Sequence, residues 1–189
     1  QYVLKQNVIR VPEGCPTMNE AMEVAVIFTE KNECSEMNPV TVEVGVGEHK
    51  MVGVNVPYGT GGVNESGVFM HIPCNNISIK GQGKGQTKLL GGFYVKGHKN
   101  VKIEQVSVTN LHGDALFCRG SGGTNDVNVD VTDCIFWKNR DNGSGVSHGG
   151  SVTATRCVFM ENGAIGVECD GVNSKATLHD CTIHHNGQD

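Results

Sequence analysis

An internal repeat constrains this chain more than any other feature. The hexamers Gln105-Val-Ser-Val-Thr-Asn110, Cys134-Ile-Phe-Trp-Lys-Asn139, Cys157-Val-Phe-Met-Glu-Asn162 and Cys181-Thr-Ile-His-His-Asn186 align without gaps. Short alternating segments precede the last three: Val127 to Val131, Ser151 to Thr155 and Lys175 to Leu178. After a Gly-bearing turn come further segments, Ala115-Leu-Phe-Cys-Arg-Gly120, Ser144-Gly-Val-Ser-His-Gly149 and Ile165-Gly-Val-Glu-Cys-Asp-Gly171. One unit is thus about 23 residues, with three short strands and Gly/Asn corners. So short a unit cannot bury its own apolar face, so successive units must stack and share one core.

Composition agrees with stacked short strands. The 189 residues hold 26 Gly and 26 Val but 6 Leu, together with 17 Asn and 12 Thr. A helical bundle would favour Leu, Ala, Glu and Lys; Val and Thr suit a pleated surface, and Gly and Asn suit turns. Five Pro and no three-residue Gly period exclude collagen. With 38% apolar and 19% charged residues the chain can build a core. Three strands per unit, no intervening helix and a fixed Asn predict an all-β fold, a single-stranded right-handed parallel β-helix of about five or six coils. In it Cys134, Cys157 and Cys181 face inward one above another, and Asn139, Asn162 and Asn186 form a ladder. The coil spacing is about 4.8 Å, the strand-to-strand distance. Gly120, Gly149, Gly163, Gly171 and Gly187 fall at corners, where positive φ is expected.

The first half prepares that coil. Thr17-Met-Asn-Glu20 is a capping box, and Met18, Ala21, Met22 and Ala25 follow at helical spacing. A helix over 17–30 is predicted, ended by the turn chemistry of Asn32, Ser35, Asn38 and Pro39. Val8 to Val11 reads as a strand stopped by Pro12, and Val40 to Val46, Met51 to Val56, Ile77 to Ile79 and Val101 to Ile103 as further strands. Residues 1–189 are read as one domain, with the clearest repeats over 101–189.

Three passages carry a family resemblance: Thr17 to Ala25, Val42-Glu-Val-Gly-Val-Gly-Glu-His49 and Ile77-Ser-Ile-Lys-Gly-Gln-Gly-Lys-Gly-Gln-Thr-Lys-Leu89. They resemble the capping helix and first coils of the pectin-lyase-like right-handed β-helix superfamily. The repeats from Val101 to Asn186 resemble its carbohydrate-binding and sugar-hydrolase repeats. The resemblance implies the fold over nearly the whole chain and leaves activity open, since many functions share this scaffold. The superfamily's polygalacturonase-like motifs (Asn-Thr-Asp, Asp-Asp, Gly-His-Gly, Arg-Ile-Lys) do not occur, nor do its pectinesterase-like ones. Lyase-like members need an Arg base, and beyond Arg10 only Arg119, Arg140 and Arg156 are present.

Charge and motifs narrow the partners. A net charge of −5 with no basic cluster denser than Lys96, His98, Lys99 and Lys102 argues against nucleic acid. The longest apolar stretch, Val24 to Phe28, is too short to span a membrane. Gly81-Gln-Gly-Lys-Gly-Gln-Thr87 lacks the Gly-Lys-Ser/Thr that opens a phosphate-binding helix, so it reads as a turn, and no cofactor is expected. His179, His184 and His185 alternate along one strand and so are not read as a metal site. Eight Cys leave the disulfide state open, with Cys15 and Cys34 able to meet around the helix. Asn64, Asn76 and Asn142 each head an Asn-x-Ser triplet.

One polar column stands out. Aligned on the Gly that follows each, Arg119, His148 and Asp170 fall at one position of successive coils, within about 10 Å. A base, an acid and a cation so placed can bind a sugar carboxylate or move a proton, and they are the candidate catalytic residues. The bland alternative is three solvated residues at a strand-to-turn corner. His112, Asp114, Asp133 and Trp137 are candidate substrate-binding residues, Trp137 because Phe136 and Trp137 must face opposite ways and an outward ring can stack on a sugar. Two functions follow. One is a carbohydrate-interacting or protein-interaction module without recognisable catalytic motifs; the other is a lyase, hydrolase or epimerase acting on an acidic glycan. Asp189 comes directly after Asn186-Gly187-Gln188, where earlier units continue to a third strand. The expectation is a piece of a longer chain, or a coil edge covered by a protein partner or a second copy.

Overall fold

A computed structural model describes residues 7–31, 34–57, 66–123 and 126–187. It begins with β1 (Val8–Val11) and α1 (Met18–Lys31). The Glu20 amide donates to Thr17 Oγ1 at 3.2 Å, the forward half of the capping box. Met18, Ala21, Met22 and Ala25 are buried, and this face packs on β1 and β2 and closes the end of the coil core. Asn32, expected to help end the helix, lies outside the described residues.

Thereafter the chain winds through three sheets. The first joins β1, β2 (Val40–Val44), β6 (Ile77–Lys80), β9 (Val101–Glu104), β12 (Val127–Thr132), β15 (Gly150–Thr155) and β18 (Lys175–His179), all parallel. The second joins β3 (Gly47–Lys50), β7 (Thr87–Leu90), β10 (Ser107–Thr109), β13 (Ile135–Trp137), β16 (Val158–Met160) and β19 (Thr182–His184). The third joins β4 (Val54–Pro57), β5 (Ser66–His71), β8 (Gly92–Lys96), β11 (Leu116–Arg119), β14 (Ser144–Ser147) and β17 (Val167–Asp170). This is the expected β-solenoid, of about five turns. One strand departs from it: β4 pairs antiparallel with β5, a hairpin that leaves the coil path.

Period-two alternation builds the core, because each strand sends every second residue inward. Val40, Ile77, Val101, Val129, Val152 and Ala176 stack as one inward column of the first sheet. From the second sheet Phe136 and Phe159 stack with ring centroids 5.0 Å apart, both fully buried. Cys134, Cys157 and Cys181 form the predicted inward column, each thiol donating to a carbonyl of the coil before it: Ile103 at 3.5 Å, Val131 at 3.5 Å and Ala154 at 3.4 Å. All eight Cys are free thiols, Cys15 and Cys34 included.

The asparagine ladder is present at the corner between the second and third sheets. Asn139 Nδ2 donates to Asn162 Oδ1 at 2.6 Å, and Asn162 Nδ2 to Asn186 Oδ1 at 2.7 Å. The same oxygens accept the backbone N–H groups of Asn139 and Asn162. Asn110 departs: its amide N–H binds Asn139 Oδ1, but its Nδ2 turns to the carbonyls of Asp114 and Val68.

The corners are not all made by glycine. Gln105, Asp133, Arg156 and Asp180 hold φ of 51–56° where the first sheet bends into the second, and Lys138, Glu161 and His185 do so just before the ladder. Gly149, Gly171 and Gly187 have positive φ, whereas Gly163 is needed for closeness: a Cβ there would collide with the Arg140 carbonyl oxygen.

Candidate functional site

On the third sheet Leu116 and Cys118 face the core, so Phe117 and Arg119 face out. Register makes two outward columns: His71, Tyr94, Phe117, Gly145, Glu168; and Lys96, Arg119, Ser147, Asp170. The first begins as an aromatic stack, His71 to Tyr94 at 4.9 Å and Tyr94 to Phe117 at 5.4 Å, closed over by Phe69 and Val56. Burial, and then Lys96, lower the pKa of His71. Tyr94 is pushed up by burial, partly offset by the charge of Arg119.

The stack stops at Gly145, and there the surface opens into a cleft of about 410 Å³. Its walls include Asp114, Phe117, Asp141, Ser147, Glu168 and Asp170. Gly145 is the reason the cleft has room: a Cβ there would lie 2.7 Å from Asp114 Oδ2. Asn142, on the coil between, holds both acids. Its backbone N–H donates to Asp114 Oδ1 at 2.7 Å, and its Nδ2 to Glu168 Oε2 at 2.8 Å. Its Oδ1 accepts the Ile165 amide at 3.0 Å, so backbone and side chain of one residue join three coils.

Asp114 is only 1% exposed. Burial raises its pKa to about 7, with the charges of Asp141 and Glu168 adding and the Asn142 hydrogen bonds opposing. Arg140 answers Asp141 with an ion pair at 2.6 Å. The Ser147 hydroxyl is buried with no hydrogen-bond partner among the described residues, although Ser147 lines the cleft. The site can therefore hold a proton near neutrality among several carboxyl groups, with an unpartnered hydroxyl just beneath its surface.

The candidate residues fare unequally. Asp114 and Asp170 line the cleft. Arg119, Ser147 and Asp170 share one register position, and His148 does not. The expected Arg119–His148–Asp170 column is thus corrected. Gly120 and Gly171 directly follow Arg119 and Asp170, but His148 stands between Ser147 and Gly149, so alignment on the following Gly slips by one on the β14 coil. His148 instead occupies a tight turn into β15 at φ 53°, with Nδ1 buried and without a hydrogen-bond partner among the described residues. Arg119 lies beside Ser147, and its charge lowers the Tyr94 pKa. His112 lies in the Asn110–Asp114 turn, where its N–H donates to Asn110 Oδ1.

Two candidates lie elsewhere. Asp133 sits at the bend between first and second sheets, bound to Arg156 through paired contacts of 2.8 Å. Trp137 does face out opposite to Phe136, but from the second sheet, beneath Lys138 Nζ at 4.7 Å from its ring. Asp141, Asn142, Ser147 and Glu168 are the residues that sequence reasoning missed. Their signal was the coil period itself, which stacks Asn142 between Asp114 and Glu168. Of the Asn-x-Ser triplets, Asn142 and Asn76 are spent on internal hydrogen bonds, and Asn64 is outside the described residues.

His184 and His185 were expected on opposite faces, yet their Nδ1 atoms lie 2.6 Å apart, because His185 takes φ 52° at the corner. Among the described residues no group of three His, Cys, Asp or Glu is arranged to hold a metal ion, and no helix is long and apolar enough to cross a membrane.

Residues 87–189 match the family described as the right-handed beta helix region, which is more than half of the chain. The chain belongs to the right-handed β-helix family. The family is thus matched over β7 to β19, the stretch that carries both the Asn ladder and the cleft. Among solved structures, the β-helix chain is similar to the crystal structure of the Agl-KA catalytic domain, with TM-score 0.54 and 14% identity. The alignment covers 92% of this chain and 37% of that one, so the β-helix spans little more than a third of that neighbour and the likeness shows the fold. No curated protein sequence matches the chain.

Proposed function

We propose that this β-helix is a carbohydrate-interacting module that takes a sugar chain into the third-sheet cleft. One observation carries the reading: a cleft of about 410 Å³ whose walls combine the carboxyl groups of Asp114, Asp141, Glu168 and Asp170 with Phe117 and Ser147. Hydroxyl-rich ligands use such a mixture, a few convergent polar groups beside an apolar wall. The resemblance to carbohydrate-active β-helices supports it. The test is calorimetric titration with hexameric cello-, xylo-, manno- and galacturono-oligosaccharides, using the native chain and Glu168→Ala, which alters an exposed wall residue. Binding of at least one oligosaccharide, weakened in the variant, is expected. Silence across the panel, or binding indifferent to Glu168→Ala, overturns the reading.

A second reading, modification of an acidic glycan, draws on Asp114, a carboxyl that holds a proton near pH 7 as a general acid does. Unsaturated or hydrolysed products from the same panel decide between binding and modification. We also propose association with a protein partner or a second copy through the outermost described coil, where Ile183 and Leu178 are 47% and 39% exposed. Light scattering across concentration tests the second-copy form, and a monomer throughout counts against it.

A further inference from the structure

We propose that ligand binding in the third-sheet cleft is coupled to a proton carried by Asp114, so that the cleft takes a glycan while this carboxyl is neutral and releases it as the carboxyl ionises. The inference rests on the cleft being the glycan site.

Geometry carries it. Asp114 is almost wholly buried, yet it forms part of the cleft wall. Oδ1 is committed to the Asn142 amide, while Oδ2 overlies Gly145, where no side chain covers it and a Cβ would lie 2.7 Å away. A neutral carboxyl can donate its hydrogen to a ligand oxygen at that opening. An ionised one can only accept, and it sets a further negative charge against electron-rich sugar oxygens. The buried, unpartnered Ser147 hydroxyl independently marks the same cleft as lacking a hydrogen-bonding partner.

The surroundings set the direction. Among the described residues, Arg140 and Asp141 approach from the turn before β14, Glu168 and Asp170 from β17, and Ser147 from β14. Arg140 pairs with Asp141, and Asn142 bonds Glu168. On its own turn His112 is exposed; on β11 Phe117 is the wall, and the Arg119 charge acts on Tyr94. β5 contributes Phe69, which is fully buried in the neighbouring aromatic cluster. Ionisation of Asp114 therefore adds charge where Asp141 and Glu168 already raise its proton affinity. A ligand that requires the neutral form loses affinity as pH passes through neutrality. The limit is about tenfold per pH unit for one linked proton.

The experiment measures Kd by calorimetry at pH 5.5, 7.0 and 8.5 for each panel oligosaccharide that binds. The native chain is compared with Asp114→Asn and Glu168→Gln. The native chain should bind at least fivefold more weakly at pH 8.5 than at 5.5. Asp114→Asn, whose amide donates at every pH, should bind with the same Kd within twofold throughout. Glu168→Gln removes a neighbouring charge and should move the weakening to lower pH, a test that does not need the Asn variant to fold. A native Kd that is flat with pH, or a pH dependence retained in Asp114→Asn, overturns the coupling while leaving glycan binding intact. A panel with no binder at any pH overturns both.

Discussion

Replacing Asp114 by Asn should shift stability toward the variant as pH rises from about 4 to 8, although it deletes a native carboxylate. The ordinary Asp pKa of 3.8 rises to about 7 in the folded chain. Between those values the folded state keeps a proton that the unfolded state has released. Stability therefore falls as pH rises through that window, and it is level below pH 3.8 and above about 7. At 1.36 kcal/mol per unit, the shift corresponds to about 4 kcal/mol as an order of magnitude. This is the reverse of an ion-paired Asp, whose stabilisation grows with pH. Asn cannot ionise, and its Oδ1 can still accept the Asn142 amide, so any fixed cost of the substitution is independent of pH. The difference in unfolding free energy, Asp114→Asn minus native, should thus shift toward the variant by about 4 kcal/mol between pH 4 and 8. Urea unfolding followed by fluorescence of Trp137, the single tryptophan, measures it at each pH. A difference that stays constant with pH, or that shifts toward the native chain, refutes the argument.

Other substitutions and reagents test the scaffold. Asn162→Ala removes a 2% exposed side chain bonded to both neighbouring ladder residues and to the Phe136 carbonyl, and should cost about 3–5 kcal/mol in urea unfolding. Gly163→Ala forces a methyl group onto the Arg140 carbonyl and should cost about 1–3 kcal/mol, read as a lowered midpoint at unchanged slope. In the native chain a maleimide should label exposed Cys169 first, whereas Cys118, buried and pushed up to about 12, should react only on unfolding; mass spectrometry of the digested protein locates the labels.

The scaffold was legible because its cause is periodic. A Cys and an Asn returning every 23 or 24 residues had to stack, whatever the intervening residues were, and Cys134, Cys157, Cys181 and the Asn ladder do so. The capping helix was legible from Thr17, Glu20 and one apolar stripe. The third strand was not, because turn length varies there. One additional residue between the end of β14 and Gly149 put His148 outside the column and left Ser147 in it. Gly149, Gly171 and Gly187 take the positive φ expected of them, but Gly120 and Gly163 do not, and Asp133, Arg156 and Glu161 adopt it where no glycine stands, since a single left-handed residue leaves no pattern in composition. Asp114 was recognised, but its partners were not. Asp114, Asn142 and Glu168 are separated by 28 and 26 residues and share no motif; only the rung register brings them together.

Hydrogen–deuterium exchange on adding the tightest-binding panel oligosaccharide tests the central claim, that the third-sheet cleft is the ligand site. Protection confined to residues 114–117, 140–147 and 164–170 is predicted. Protection centred on the outer face of the first sheet, around Lys102, Asp130 and Thr153, would contradict it.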